Sequence, residues 1–112
     1  MDKRRALRNE YKERRLRGGV YTVTNTVTGK YLLAHTADLA SARNHFAFAV
    51  STGSAVHPRL RDDWATYGGT AFTLDVLEEL EQGPEQTRAN FLNDLRLLEQ
   101  LRHAELDPER EY

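Results

Sequence analysis

The sequence predicts a small α/β domain, a three-stranded antiparallel sheet flanked by helices, with a basic helix before it and an acidic helix after it. Three observations carry that expectation. The β-branched and aromatic runs Val20 to Thr24 and Tyr31 to Leu33 are joined by a polar turn through Thr28-Gly29, the pattern of a β-hairpin. Further on, Phe72, Leu74 and Val76 alternate with Thr73 and Asp75, the period of a half-buried strand. Around these runs the apolar residues recur at helical spacing.

Taken in order, residues 3–17 are rich in Lys, Arg, Glu, Leu and Ala, with Leu7 and Tyr11 four apart, and predict a basic helix that Gly18-Gly19 ends. This sets the expected organisation: a basic helix over 1–17 and one domain over 18–112. After the hairpin, Asp38 is a candidate N-cap for a helix over 39–50, where Leu39, Ala42, Phe46 and Ala49 form a narrow apolar stripe. Leu60, Trp64 and Tyr67 predict a second, short helix that Gly68-Gly69 stops. The third strand runs into Leu77-Glu78-Glu79. Gly83-Pro84 then opens the last helix, with Phe91, Leu95, Leu98 and Leu101 on one side.

At 112 residues the chain has room for one hydrophobic core, and 39% hydrophobic with 29% charged residues is an ordinary globular composition. No apolar run approaches the ~20 residues that span a bilayer, and no apolar stretch follows Met1-Asp2-Lys3-Arg4-Arg5 to make a secretory signal. A cytoplasmic location is therefore expected. The chain has no cysteine, which excludes disulfides, thiolate zinc sites and cysteine nucleophiles, so any metal needs oxygen or histidine ligands. Residues 1–61 hold twelve Lys or Arg against four Asp or Glu, whereas residues 62–112 hold four against thirteen. Two readings of that asymmetry stand side by side: a basic surface for phosphates, or basic and acidic helices that neutralise each other within one chain or between two copies.

Gly19-Val20-Tyr21, followed eleven residues after Tyr21 by Leu32-Leu33-Ala34, resembles the paired strands of the GIY-YIG nuclease superfamily. Asn25 to Lys30, Asp63-Trp64, Tyr67-Gly68 and Phe72 through Leu80 are similar to one bacterial branch, and the resemblance covers about residues 4 to 80. It implies a nucleic-acid module, with DNA as the expected partner. In active members it implies phosphodiester hydrolysis assisted by Mg²⁺ or Mn²⁺: tyrosines of the two triplets help activate water, an arginine and a histidine on the first domain helix stabilise charge, and a glutamate at the end of the third strand holds the ion.

On that pattern Tyr21 matches the first tyrosine and Glu78 the metal-binding glutamate. The other positions depart from it. Leu32 stands where the second tyrosine is expected, Ala34 at its glycine, Ala42 at the arginine and Phe46 at the histidine. A one-residue slip would put Tyr31 in the second tyrosine position and bring Arg43 and His45, on the flanks of the apolar stripe, into reach. The candidate catalytic residues are therefore Tyr21, Arg43 and His45, set against a core role for Tyr21 and solvated helix sides for the pair. Glu78 is expected to share the face of Phe72, Leu74 and Val76 and so to meet a cleft, with an exposed strand-end acid as the other reading. His35, His57 and His103 read as exposed. Lys3, Arg4, Arg5, Arg8, Lys12, Arg14, Arg15 and Arg17 are the candidate phosphate contacts. The function expected from these residues is nucleic-acid binding with hydrolysis weak or lost. An active endonuclease and a protein-interaction module are the alternatives.

Overall fold

A computed structural model of the chain describes residues 15–112. The elements are β1 (Arg17–Asn25), β2 (Tyr31–Thr36), α1 (Leu39–Thr52), α2 (Arg61–Tyr67), β3 (Phe72–Glu81) and α3 (Arg88–His103), with short 3₁₀ turns at Pro58–Leu60, Gly69–Ala71 and Pro108–Arg110. The sheet is three-stranded and antiparallel in the order β2-β1-β3. The expected α/β architecture is therefore present.

β1 is the central strand, and its alternate residues serve two cores. Val23 packs with Leu32 and Phe72 against Ala49 of α1, Leu60 of the 3₁₀ turn and Trp64 of α2. Trp64 stacks on Phe72 at 4.6 Å between ring centroids and meets Phe46 edge-on at 6.2 Å. On the opposite face Phe91 and Leu95 of α3 pack with Ala37, Leu16 and Leu80. Two glycines make the close approach possible. A Cβ on Gly18 would land on the Thr36 carbonyl oxygen beside Leu95, and one on Gly19 would land on the Glu78 carbonyl oxygen beside Leu39. These contacts assign Gly18, Val20 and Thr22 to the α3 face and Gly19, Tyr21 and Val23 to the α1 face.

The caps follow local chemistry. The Asp38 carboxylate accepts from the Ser41 N–H at 3.1 Å to start α1, and Gly53, at φ 79°, ends it. α3 is capped by Thr87, whose hydroxyl accepts from the Asn90 N–H, so Pro84 lies in a turn ahead of the helix and not in its first turn as expected. Glu111 and Tyr112 run beside the first residue of β2, where the Tyr112 N–H donates to the Tyr31 carbonyl at 2.9 Å. Fully buried Asn25 accepts from the Val27 and Thr28 N–H groups and donates to the Tyr112 hydroxyl at 3.1 Å, and that hydroxyl donates to Asp63 at 2.7 Å.

The expected helix over 1–17 falls mostly on residues 1–14, which lie outside the described residues. At its far end the expectation is corrected: Arg17 opens β1, pairing with Glu81, and the Leu16 carbonyl accepts from the Gln82 N–H at 2.9 Å. Gly18-Gly19 is therefore strand, not helix terminator, because only a residue without Cβ fits between β2, β3 and the flanking helices there. Tyr67, at helical spacing with the buried Leu60 and Trp64, is nevertheless exposed, as is Leu101.

Candidate functional site

A cleft of about 290 Å³ opens beside α1 on the first face of the sheet. Its floor is apolar, with Val23, Leu32 and Leu74 among its residues, and its rim carries Tyr21, His45, His57 and Ser41. Ala34, directly across from Tyr21 in the β1–β2 register, leaves room for the ring over β2. Ala42 also borders the cleft, so the position at which the family resemblance expects arginine faces the same space with a methyl group.

Of the candidate catalytic residues, Tyr21 and His45 meet here. Arg43 is exposed on α1 and is not among the residues that border the cleft. The β1–β2 register carries no bulge: Leu32 pairs with Val23 on the cleft side, and Tyr31 pairs with Thr24 on the other. The slip that would bring Tyr31 to Tyr21 is thus not the pairing adopted. Tyr31 is buried, and its hydroxyl donates to the Asp107 carbonyl at 2.9 Å.

Glu78 stands on the other face. The register between β1 and β3 shifts between Val20 and Tyr21: Tyr21 pairs with Val76, but Val20 pairs with Glu78, so Leu77 is the extra residue of a β-bulge. One inserted residue exchanges the faces of everything beyond it. The expectation that Glu78 shares the face of Phe72, Leu74 and Val76 is corrected by that bulge. Its carboxylate is held by Arg102 of α3, with guanidinium nitrogens at 3.0 and 3.1 Å.

Burial first, and the charge of Glu99 second, push the Tyr21 hydroxyl above its ordinary pKa. At neutral pH it is therefore a hydrogen-bond donor, not a phenolate base. His57 and His35, both read as exposed from sequence, are half-buried. The His57 Nδ1 accepts from the Arg59 N–H at 3.1 Å and caps the 3₁₀ turn, while the His35 Nδ1 meets Glu99 at 3.3 Å. His57 followed by Pro58 is the one sequence signal that could have found the cap. His103, by contrast, is exposed as expected and pairs with Glu111 at 2.7 Å. Among the described residues no carboxylate borders the cleft, and no group of three or more His, Cys, Asp or Glu that could hold a metal occurs.

Comparison with known proteins yields no relative: no family model, no curated protein and no solved structure matches the chain.

Proposed function

We propose that the chain is a nucleic-acid-binding domain of GIY-YIG-like design in which phosphodiester hydrolysis is weak or lost. The reading rests on the resemblance of Gly19-Val20-Tyr21 and the segments around it, and on one observation about the cleft. Tyr21 and His45 both border the cleft beside Ala42 with no carboxylate among the described residues of its lining, while Glu78 is tied to Arg102 across the sheet. Hydrolysis through a hard divalent ion needs anionic oxygen ligands and a positioned cation for the charge that develops on phosphate. The cleft supplies hydrogen-bond donors for a phosphate and neither of those groups. Affinity is assigned to the basic first half, in which Lys3, Arg4, Arg5, Arg8, Lys12 and Arg14 precede the described residues and Arg15 and Arg17 lead into β1. DNA is the partner proposed, and Mg²⁺ or Mn²⁺ belongs to the reading only if hydrolysis survives.

The test pairs binding with turnover. Supercoiled plasmid should be retarded on a gel by the protein and stay uncut with Mg²⁺ or Mn²⁺, because losing even one positioned donor commonly costs ~10²-fold to 10³-fold in rate. Nicking that Glu78→Ala abolishes would establish the active endonuclease instead. A protein-interaction module is the second reading, favoured by Leu97 and Leu101, which lie one helical turn apart on α3 and are 48% and 66% exposed. It predicts no retardation.

A further inference from the structure

His57 stands where two clefts adjoin. It borders the Tyr21 cleft, and it also borders a second cleft of about 430 Å³ lined by Arg61 and Trp64 of α2 and by Gly53 and Ser54 after α1. Between them the two clefts reach from residues of the sheet and α1 to residues of α2, with His57 in both linings. Among the described residues neither lining contains an Asp or Glu. Hydrogen-bond donors border the clefts: the Tyr21 hydroxyl, Ser41, His45 and Arg61.

The hydrogen bond from the Arg59 N–H fixes the tautomer of His57. Because Nδ1 accepts, the proton of the neutral imidazole is on Nε2, which makes that nitrogen a donor. His57 thus does two things with its two nitrogens: one ends the loop before Pro58, and the other is free of that cap. Each cleft is too small for a duplex of about 20 Å diameter to enter, yet each has the volume of a single nucleotide unit, with apolar surface for a base beside donors for a phosphate.

We propose that the two clefts together form a groove for an unpaired nucleic-acid strand, with one phosphate on His57 Nε2–H between them and one unit in the cleft of Tyr21 and His45. The inference rests on the nucleic-acid reading above and narrows it to single strands. Two substitutions separate the two nitrogens of His57. His57→Asn keeps an acceptor at the Nδ1 position and removes the Nε2 donor, whereas His57→Gln keeps a donor at the Nε2 position and removes the cap.

The measurement is fluorescence anisotropy of a labelled single-stranded oligonucleotide and of a duplex of equal length, with thermal melting of each variant. The wild type should bind the single strand more tightly than the duplex. His57→Asn should weaken single-strand binding about 10-fold to 100-fold, the size of a lost hydrogen bond to a charged group, with an unchanged melting temperature. His57→Gln should melt earlier and retain most of the affinity. The proposal is overturned if His57→Asn binds the single strand as the wild type does, or if the wild type binds duplex equally well; in both cases the broader nucleic-acid reading stands. Absence of binding to either probe overturns both.

Discussion

Phe46 occupies the helix position at which the family resemblance expects histidine, and its ring meets Trp64 edge-on in the larger core. Phe46→His removes apolar contact and adds polar atoms without partners, so it should cost about 1–3 kcal/mol in urea unfolding, less than for a fully buried ring because Phe46 is half-buried. An unchanged midpoint would show that the ring contributes nothing to the core. Tyr112 matters for a different reason. Its hydroxyl links buried Asn25 to Asp63, and Tyr112→Phe leaves both partners short of a hydrogen bond, a loss of about 1–2 kcal/mol. Burial, then the bond to Asp63, raise the Tyr112 pKa above its ordinary value, and burial raises Tyr21 and Tyr31 as well. A raised folded-state pKa contributes stability that is complete below the unfolded value near 10 and is lost as pH rises through the folded value. Stability should therefore be flat in this respect up to about pH 10 and fall above it. The fall should be shallower in Tyr112→Phe, with Tyr21 and Tyr31 supplying the rest; an equal or steeper fall in that variant would contradict the assignment.

Among the elements, β1 is the one most tightly enclosed. Gly19→Ala would drive a methyl group into the Glu78 carbonyl and Gly18→Ala one into the Thr36 carbonyl, and since both obstacles are backbone, each substitution should destabilise by about 1–3 kcal/mol or more. Circular dichroism melts of the two variants check this, and an unaltered melting temperature in either would mean that the strands are farther apart than described. The same glycines show where the sequence was legible and where it was not. The β-branched and aromatic run Val20–Thr24, the alternation in Phe72–Val76 and the helical spacing of the apolar residues are properties of residues close in sequence, so strands, hairpin and helices could be read from them. The close approach at Gly18 and Gly19 and the bulge at Leu77 are properties of paired strands, invisible until β3 is set beside β1. The bulge decides the candidate site, because it turns Glu78 from the Tyr21 face toward Arg102. Tyr21 became a candidate through the family resemblance and His45 only through a one-residue slip that β1 and β2 do not adopt; His45 borders the cleft from α1 without it. His57 was not a candidate, because a loop histidine has no period.

For the whole molecule the governing quantity is charge. The described residues place α3 on one face of the sheet and the two clefts on the other; α3 is not the acidic helix expected, since it carries Arg88, Arg96 and Arg102 against Asp94 and Glu99, and six Lys or Arg precede the described residues in 1–14. Truncation at residue 14 is the cut the fold allows, since Leu16 packs with Phe91 and Leu95 and its backbone bonds to Gln82; removing residues 1–17 would open the edge of that core. No described helix is long and apolar enough to cross a membrane. Under the function proposed above, the chain binds nucleic acid through phosphate contacts concentrated in its basic segment, and the salt dependence of binding to a labelled duplex, for the full chain and for residues 15–112, measures those contacts. Each phosphate neutralised contributes ~0.9 to the slope of log affinity against log salt. The account predicts a steep slope for the full chain and one flatter by several units, with weaker binding, for the truncated protein. Equal affinity and equal slope for the two would contradict the role of the basic segment, and absence of binding by the full chain at low salt would contradict the proposed function itself.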